Sequence, residues 1–499
     1  MRATALRLLG GLLFTALLSA CGGGGGGGTT TAGGIGGTGI VSSGTVTGFG
    51  SVFVNGVEFK TTGTMITIND NTSRPESELR VGMVVEVQGT LDASGKTGTA
   101  TSIRFRDNAQ AQVQSIDLVN RTIVVLGQTV KVDNNTVFAG TGLAALTDLQ
   151  VNDLVQVSGF DDGSATGTIR ATRVEKTGTF APGAEVEVKG SISSLDTVAK
   201  TFSVRNLAVN YASASLSGFP ATGVANGQLV EVKGTQFSGA TLVAAQVRLE
   251  DAVQVQNGDK AEIEGLISDF VSLSNFKVSG QAVNAGSASL DNPAGLTVAN
   301  GVEVEVEGTI SNGVLVATKL SVRQSGDDTA QSNNVNIEIE AIATAVSPTS
   351  NTFVVLTKTI AVNALTQFED KSSAGLHTLN LASIAPNVDR LAVRAYTDAS
   401  GTLVATRVER TDPDPRVVLQ GPVDTKTIAT NLTIIGASVL TGPSTQYKDA
   451  AGNTLTPSAF FGAVSAPPAT PSIVKVQGVA GAGPGDTIDA TNGEAQIEG

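Results

Sequence analysis

The stretch Val302-Glu303-Val304-Glu305-Val306-Glu307-Gly308 alternates apolar and charged residues without a break. A period of two marks a half-buried β-strand, with one face on a core and the other in water. Valine suits a pleated surface, and a closing glycine permits a sharp turn or bulge. The strand is expected to bury its valines and to present Glu303, Glu305 and Glu307 to solvent.

Related strings recur at intervals of roughly 70 to 90 residues, the signature of an internal repeat. They include Val84-Val85-Glu86-Val87-Gln88-Gly89, Leu154-Val155-Gln156-Val157-Ser158-Gly159 and Leu229-Val230-Glu231-Val232-Lys233-Gly234. Leu391-Ala392-Val393-Arg394-Ala395 and Ile473-Val474-Lys475-Val476-Gln477-Gly478 complete the set, with Tyr396 standing where the other units keep glycine. A second strand follows a glycine turn, as in Val314-Leu315-Val316-Ala317-Thr318-Lys319-Leu320 after Gly313 and Thr402-Leu403-Val404-Ala405 after Gly401. Upstream lie an opening strand, such as Val186-Glu187-Val188-Lys189, and short apolar runs such as Thr352-Phe353-Val354-Val355. Between the third and fourth strands, Leu143 to Leu149 can hold one helical turn.

Five or six short strands in roughly 70 residues, with turn signals every ~8 to 12, predict a small antiparallel barrel. The fold class is therefore all-β, a tandem array of OB-like barrels. The alternative is an array of β-sandwiches, which lacks the Cys pair and core Trp that would support it. The units are expected at 44–108, 109–178, 183–251, 260–323, 335–411 and, more loosely, 416–499. Polar joins at Glu250–Lys260, Arg323–Asn334 and Thr411–Pro415 suggest separate beads on a line.

The pattern resembles a bacterial repeat family known as domain of unknown function 5666. The resemblance rests on the first-unit run from Val46 to Phe59 (Val46-Thr47-Gly48-Phe49-Gly50-Ser51-Val52 and onward). It rests also on the repeated Val-Glu-Val-x-Gly and Leu-Val-Ala-Thr strands, and spans most of 44 to 410. It implies a bacterial repeat protein and carries no established activity. The last unit departs from the pattern, and its proline-rich segment Pro457 to Pro471 reads as a long loop.

The N-terminus adds a location. Arg2 and Arg7 precede the apolar run Leu8 to Leu18, a secretory signal too short for a stable span (1–20). Leu18-Ser19-Ala20-Cys21 resembles the lipobox of bacterial lipoproteins, which implies cleavage before Cys21 and acylation of its thiol and new amino group. The alternative is an ordinary signal peptide with a chance cysteine. Cys21 is the single cysteine, so no disulfide can form within the chain. Gly22 to Gly28 and the residues up to Ser43 form a flexible tether (21–43) that would hold the first unit on the order of 25 Å from a membrane. Glycine rather than aspartate after Cys21 points to a Gram-negative outer membrane.

Charge and composition mostly exclude. A net charge of −13, with scattered Lys and Arg, argues against nucleic acid, which needs a basic patch. His377 is the single histidine, read as a surface or loop residue, so a Ser-His triad repeated in each unit, a Cys-His dyad and a His-rich zinc site are ruled out. No carboxylate pair stands out by apolar surroundings. The oxygen-rich turns Asn69-Asp70-Asn71, Asp161-Asp162-Gly163-Ser164 and Gly326-Asp327-Asp328 lack the spacing of a calcium loop. Gly48-Phe49-Gly50-Ser51 opens no helix and is not read as a phosphate loop. Phe53 and Phe59 are assigned to the core through shared parity with Val57.

The expectation is a non-enzymatic envelope lipoprotein acting as a multi-domain scaffold, with no catalytic residue, no metal and no cofactor. Its partners would be the membrane, through lipidated Cys21, and an envelope protein or polysaccharide, with the oligomeric state open. The alternative is an extracytoplasmic binder of polysaccharide or calcium.

Overall fold

The computed structural model describes residues 39–498 apart from 49–50, 93–96, 134, 141, 144, 163–166, 239–240, 251–252, 254, 293–294, 324–332, 364–365, 374–378, 399–400, 428–429, 450–451, 470 and 482–486. Cys21, the tether up to residue 38, His377 and Gly326-Asp327-Asp328 lie outside the described residues, whereas 39–43, expected as the end of a flexible tether, are the start of a strand held by pairing on both edges. The described residues belong to one compact unit, 37–499.

The first repeat shows the common plan. It comprises β1 (Gly39–Gly48), β2 (Val52–Val54), β3 (Val57–Lys60), β4 (Met65–Ile68), β5 (Val84–Leu91) and β6 (Thr97–Phe105). β1, β2 and β3 form an antiparallel meander, and β3 runs parallel to β6. β6 then pairs antiparallel with β5, and β5 with β1, so the sheet closes on itself. That closed order is the OB-like barrel expected from the strand spacing. A two-residue turn at Asn55-Gly56, both at positive φ, joins β2 to β3.

The other units repeat this order. In the fourth, Glu303–Ser311 and Val314–Arg323 form a hairpin through Asn312-Gly313, again both at positive φ. Val304 and Val306 face the barrel core and are fully buried. The glycine closing the Val-Glu-Val string sits at a β-bulge, where a Cβ on Gly308 would lie 2.2 Å from the Val316 carbonyl oxygen. In the fifth unit the bulge falls between Arg394 and Ala395. Ala395, not Tyr396, therefore occupies the glycine's place. The expected helical turn forms as a 3₁₀ segment at Leu146–Asp148.

Two expectations need correction at this level. Pro457–Ala463 is a short helix, not a loop; the Thr456 side chain accepts from the Ala459 N–H at 3.2 Å and Pro457 starts the first turn. Its Phe460 and Phe461 pack on Tyr447, ring centroids 5.0 and 5.9 Å away, and the sixth unit keeps the common strand order. Phe53 pairs with Glu58 across the β2–β3 turn and lies outside the barrel, while Phe59 pairs with Val52 inside it. Crossing the turn reverses parity, which the single-strand count overlooked.

The larger correction concerns the array. Each opening strand pairs with its own unit on one edge, and its N-terminal half leaves the other edge open. That edge is occupied by the opening strand of a different unit. Ile40–Ser43 runs parallel to Lys260–Ile263, joining the first unit to the fourth. Ala109–Gln110 pairs with Glu187–Val188, and Glu338–Glu340 with Val418–Gln420, joining second to third and fifth to sixth. The result is three continuous sheets of 12, 14 and 13 strands in place of beads on a line. The physical reason is the open edge: unpaired N–H and C=O groups beside a valine-rich strand are costly unless another strand covers them.

Candidate functional site

The alternation that buries Val304 and Val306 turns Glu303, Glu305 and Glu307 away from the barrel core. Only Glu307 reaches water as the pattern suggested, with 38% of its side chain exposed; Glu303 is largely covered and Glu305 is 1% exposed. The fifth unit covers this face and fills it with cations. The register of the hairpin places Lys319 opposite Glu307 and Arg323 opposite Glu303, with Ser321 opposite Glu305. The strand Gln367–Asp370 of the fifth unit brings in Glu369, and Lys371 follows it.

Lys371 is the hub. Its Nζ donates to Glu262 Oε1 at 2.9 Å and to Glu305 Oε1, and pairs with Glu369 Oε1 at 2.8 Å. Arg323 bridges Glu305 and Glu369, and Arg407 reaches Glu369 at 2.9 Å and Glu264 at 3.7 Å. The first unit completes the enclosure. Thr45 donates its backbone N–H to Glu264 Oε2 at 2.9 Å. Asn55 donates to Ser42 Oγ and Ser43 O, both at 3.1 Å, and to Glu262 O at 3.2 Å. Gly56 lies against the lysine stem, where an added Cβ would sit 2.7 Å from Lys371 Cδ.

Burial and the charge of Glu369 raise the Glu305 carboxyl, but Lys371 and Arg323 outweigh them and hold its pKa at about 2. Burial likewise opposes charge on Glu369, yet Arg323, Lys371 and Arg407 hold it well below the usual carboxylate range. Glu262 goes the other way: burial pushes it well up, and Lys371 offsets only part. The two carboxyls Glu262 and Glu305 are thus driven apart, one favouring its proton and the other its charge. Glu262, Glu305 and Glu307 bring three carboxylate oxygens within 4.8 Å of one another, and the Lys371 ammonium supplies positive charge to two of these residues.

A second cluster joins the first and third units. Asp70 pairs with Arg248, with Lys233 at 3.3 Å and with Arg106 at 3.4 Å, while Arg106 also meets Glu250. Asp161 pairs with Arg205, whose Nη1 donates to Gln128 Oε1 at 2.7 Å. Two of the oxygen-rich turns weighed for calcium therefore place an aspartate on cationic side chains. Asn69 and Asp162 serve local bonds, to Asp107 Oδ2 at 2.7 Å and from the Thr168 N–H at 3.1 Å.

Five segments of the chain, 38–104, 110–175, 189–248, 251–321 and 338–409, match the family model described as Domain of unknown function (DUF5666). The chain belongs to that family. The matched segments follow the first five barrels; the sixth lies beyond them, although it repeats the DUF5666 strand order. No curated protein matches the chain. The charge clusters are features of how DUF5666 units meet, since their members come from different repeats. Arg170 of the second unit, 3.5 Å from Glu303 of the fourth, extends the same theme. Lys475 of the sixth unit, 2.8 Å from Glu338 of the fifth, does so again.

None of these partners was legible from one strand. The available signal was cross-strand: Lys319-x-Ser321-x-Arg323 mirrors Glu303-x-Glu305-x-Glu307 once the Asn312-Gly313 turn is set. Glu369 and Lys371 carried no such signal.

Proposed function

We propose that this protein is a non-enzymatic envelope lipoprotein, held to a membrane through acylated Cys21, whose six barrels form one rigid scaffold. The observation that carries the reading is the parallel pairing of Ile40–Ser43 with Lys260–Ile263, more than 200 residues along the chain. Such a contact ties distant units together and serves rigidity, a property of no use to a string of independent binding modules. The buried charges support it, because Glu305, Glu369 and Lys371 are committed to one another across units. No helix among the described residues is long and apolar enough to cross a membrane.

The test is cross-linking in envelope preparations of the native host, comparing the full chain with Cys21→Ser. The proposal expects the native chain in the membrane fraction, joined to a reproducible envelope protein or polysaccharide. The Cys21→Ser chain should leave that fraction. A native chain that is released without any partner would overturn the reading.

A further inference from the structure

The barrels share one way of building the bulge in their hairpin. In the first, second, fourth and fifth units a single threonine is skipped between paired positions: Thr101, Thr172, Thr318 and Thr406. Each follows an alanine, and its hydroxyl donates to a carbonyl of the facing strand. The acceptors are Gln88 O at 3.0 Å, Ser158 O and Glu307 O at 3.1 Å, and Arg394 O at 3.3 Å. The hydroxyl thus closes the gap that the extra residue opens.

The sixth unit departs from this. Ala490-Thr491 stands at the same place, because Thr445 donates to the Ala490 carbonyl at 2.7 Å as Thr366 does to that of Ala405. Yet Gln477 pairs with Glu494 and Val479 with Asp489, so Asn492-Gly493 is inserted after the threonine. The Thr491 hydroxyl turns away to Asp489 Oδ1 at 2.6 Å. Gly493 takes its place against the facing strand, where a Cβ would lie 2.0 Å from the Gln477 carbonyl oxygen. Enlarged bulges re-aim side chains and gather beside functional sites.

A groove of about 460 Å³ runs beside this bulge, lined by residues of the sixth unit alone. That size is within the range of about 300–1,000 Å³ typical of small-molecule sites. Gln446, Glu494 and Gln477 stand in a row across three neighbouring strands, and Asn492 joins them from the bulge. Among the described residues, the side-chain amides of Gln446, Gln477 and Asn492 have no hydrogen-bond partner. The same row in the fourth unit is Ser289, Lys319 and Glu307, and in the fifth Gln367, Arg407 and Arg394. Charges there reach a neighbouring repeat: Lys319 is 3.9 Å from Glu369, and Arg407 is 3.7 Å from Glu264. The sixth unit has neutral amides at the positions of Glu307 and Arg394, so its row does not suit another repeat. The charged groups of the groove are engaged locally: Glu494 with Lys448 at 2.7 Å and Arg416 with Asp414 at 2.6 Å. Two carboxylates, Asp489 and Glu494, face one guanidinium, Arg416, which disfavours an anion. Amides that both donate and accept, beside carboxylates that accept, match alcohol hydroxyls. Val479, 46% exposed, adds an apolar patch for the C–H face of a ring.

We propose that this groove of the sixth unit binds a neutral saccharide of one or two rings, its hydroxyls held by Gln446, Gln477 and Asn492. The Asn492-Gly493 insertion opens the bulge and supplies the third amide. The site stands apart from the scaffold proposal and needs neither the lipid nor an envelope partner.

Saturation-transfer NMR and calorimetric titration of the purified full chain, in a detergent without a sugar headgroup, test it. The probes are maltose, cellobiose, lactose and diacetylchitobiose, with sodium glucuronate as the anionic control. At least one of the neutral disaccharides should bind at one site with a Kd on the order of 1 mM or tighter. Glucuronate should bind at least about tenfold more weakly. Deleting Asn492 and Gly493, which restores the single-threonine bulge, should weaken the bound disaccharide by about tenfold or more. Gln477→Leu, which leaves the bulge intact, should do the same and decides the matter if the deletion fails to fold. A variant is read only if it keeps the native circular dichroism spectrum. Absence of binding by all four disaccharides overturns the proposal, as does glucuronate binding equal to theirs, or undiminished binding by either folded variant.

Discussion

Lys371 of the fifth unit donates to Glu262 of the fourth at 2.9 Å, from a stem pressed against Gly56 of the first. Three repeats thus meet at one ammonium. Removing it would strand Glu262, Glu305 and Glu369 in a site where water cannot replace it. Breaking a buried ion pair from one side costs about 3–5 kcal/mol. Lys371→Met should lower the denaturant midpoint by a corresponding amount. A midpoint equal to that of the native chain would show that the cluster does not hold the units.

Gly56 tests the same enclosure from the backbone. It has φ +77°, and a Cβ would press on Lys371, whereas Gly63 has φ +81° and nothing within 4 Å of its Cβ position. Both alanine variants bear backbone strain of about 1 kcal/mol. Gly56→Ala should lose clearly more, by on the order of 1–2 kcal/mol beyond Gly63→Ala, because Lys371 is pinned by three carboxylates. Equal losses in thermal melts would mean that the stem moves aside freely.

Acid should act on the cluster before it acts on the barrels. Glu305 and Glu369 have pKa values depressed in the folded state, Glu305 to about 2. Folding therefore gains stability from them above the unfolded carboxylate value of about 4.3. That gain is lost as pH falls toward 2. The melting temperature should drop through this window, and Glu305→Gln should show a shallower slope. An identical slope for the variant would contradict the assignment.

Glu303 carries the opposite sign. Burial raises it to about 7, with Arg170 offsetting part of the shift. The folded chain holds this proton more tightly than the unfolded one, so the contribution is present below pH ~4.3 and lost as pH rises through about 7. Glu303→Gln should be more stable than the native chain at pH 8, by on the order of 1–3 kcal/mol, with the difference closing near pH 4. A destabilised variant at pH 8 would show that the Arg170 pair outweighs burial.

The barrel was legible because its determinants are local. Period-two alternation placed Val304 and Val306 in the core, and Asn312-Gly313 set the hairpin; the Leu143–Leu149 stretch gave its helical turn. What covers the outer face was not legible. Alternation separates two faces but names only the inner one, and an acidic outer row reads as solvent-facing when no partner is in view. Lys371 lies 66 positions from Glu305, and Ile40 lies 220 from Lys260, so no spacing rule connects them. Phe53 failed for a smaller reason: the Asn55-Gly56 turn pairs odd with even positions, and parity counted within one strand does not carry across it.

The repeats form one body, with the first unit stitched to the fourth. Thr90 pairs with Gly39 on one flank of that seam, and Thr309 pairs with Lys260 on the other. Both threonines are exposed, and Cys21→Ser removes the single native cysteine. Spin labels on Cys introduced at 90 and 309 would then stand three strand spacings apart, about 14 Å between backbones. Pulsed electron–electron resonance should give one narrow population on the order of 15–25 Å once label arms are included. A broad distribution centred at roughly 50 Å or more, as expected with two whole units between the labels, would contradict the account.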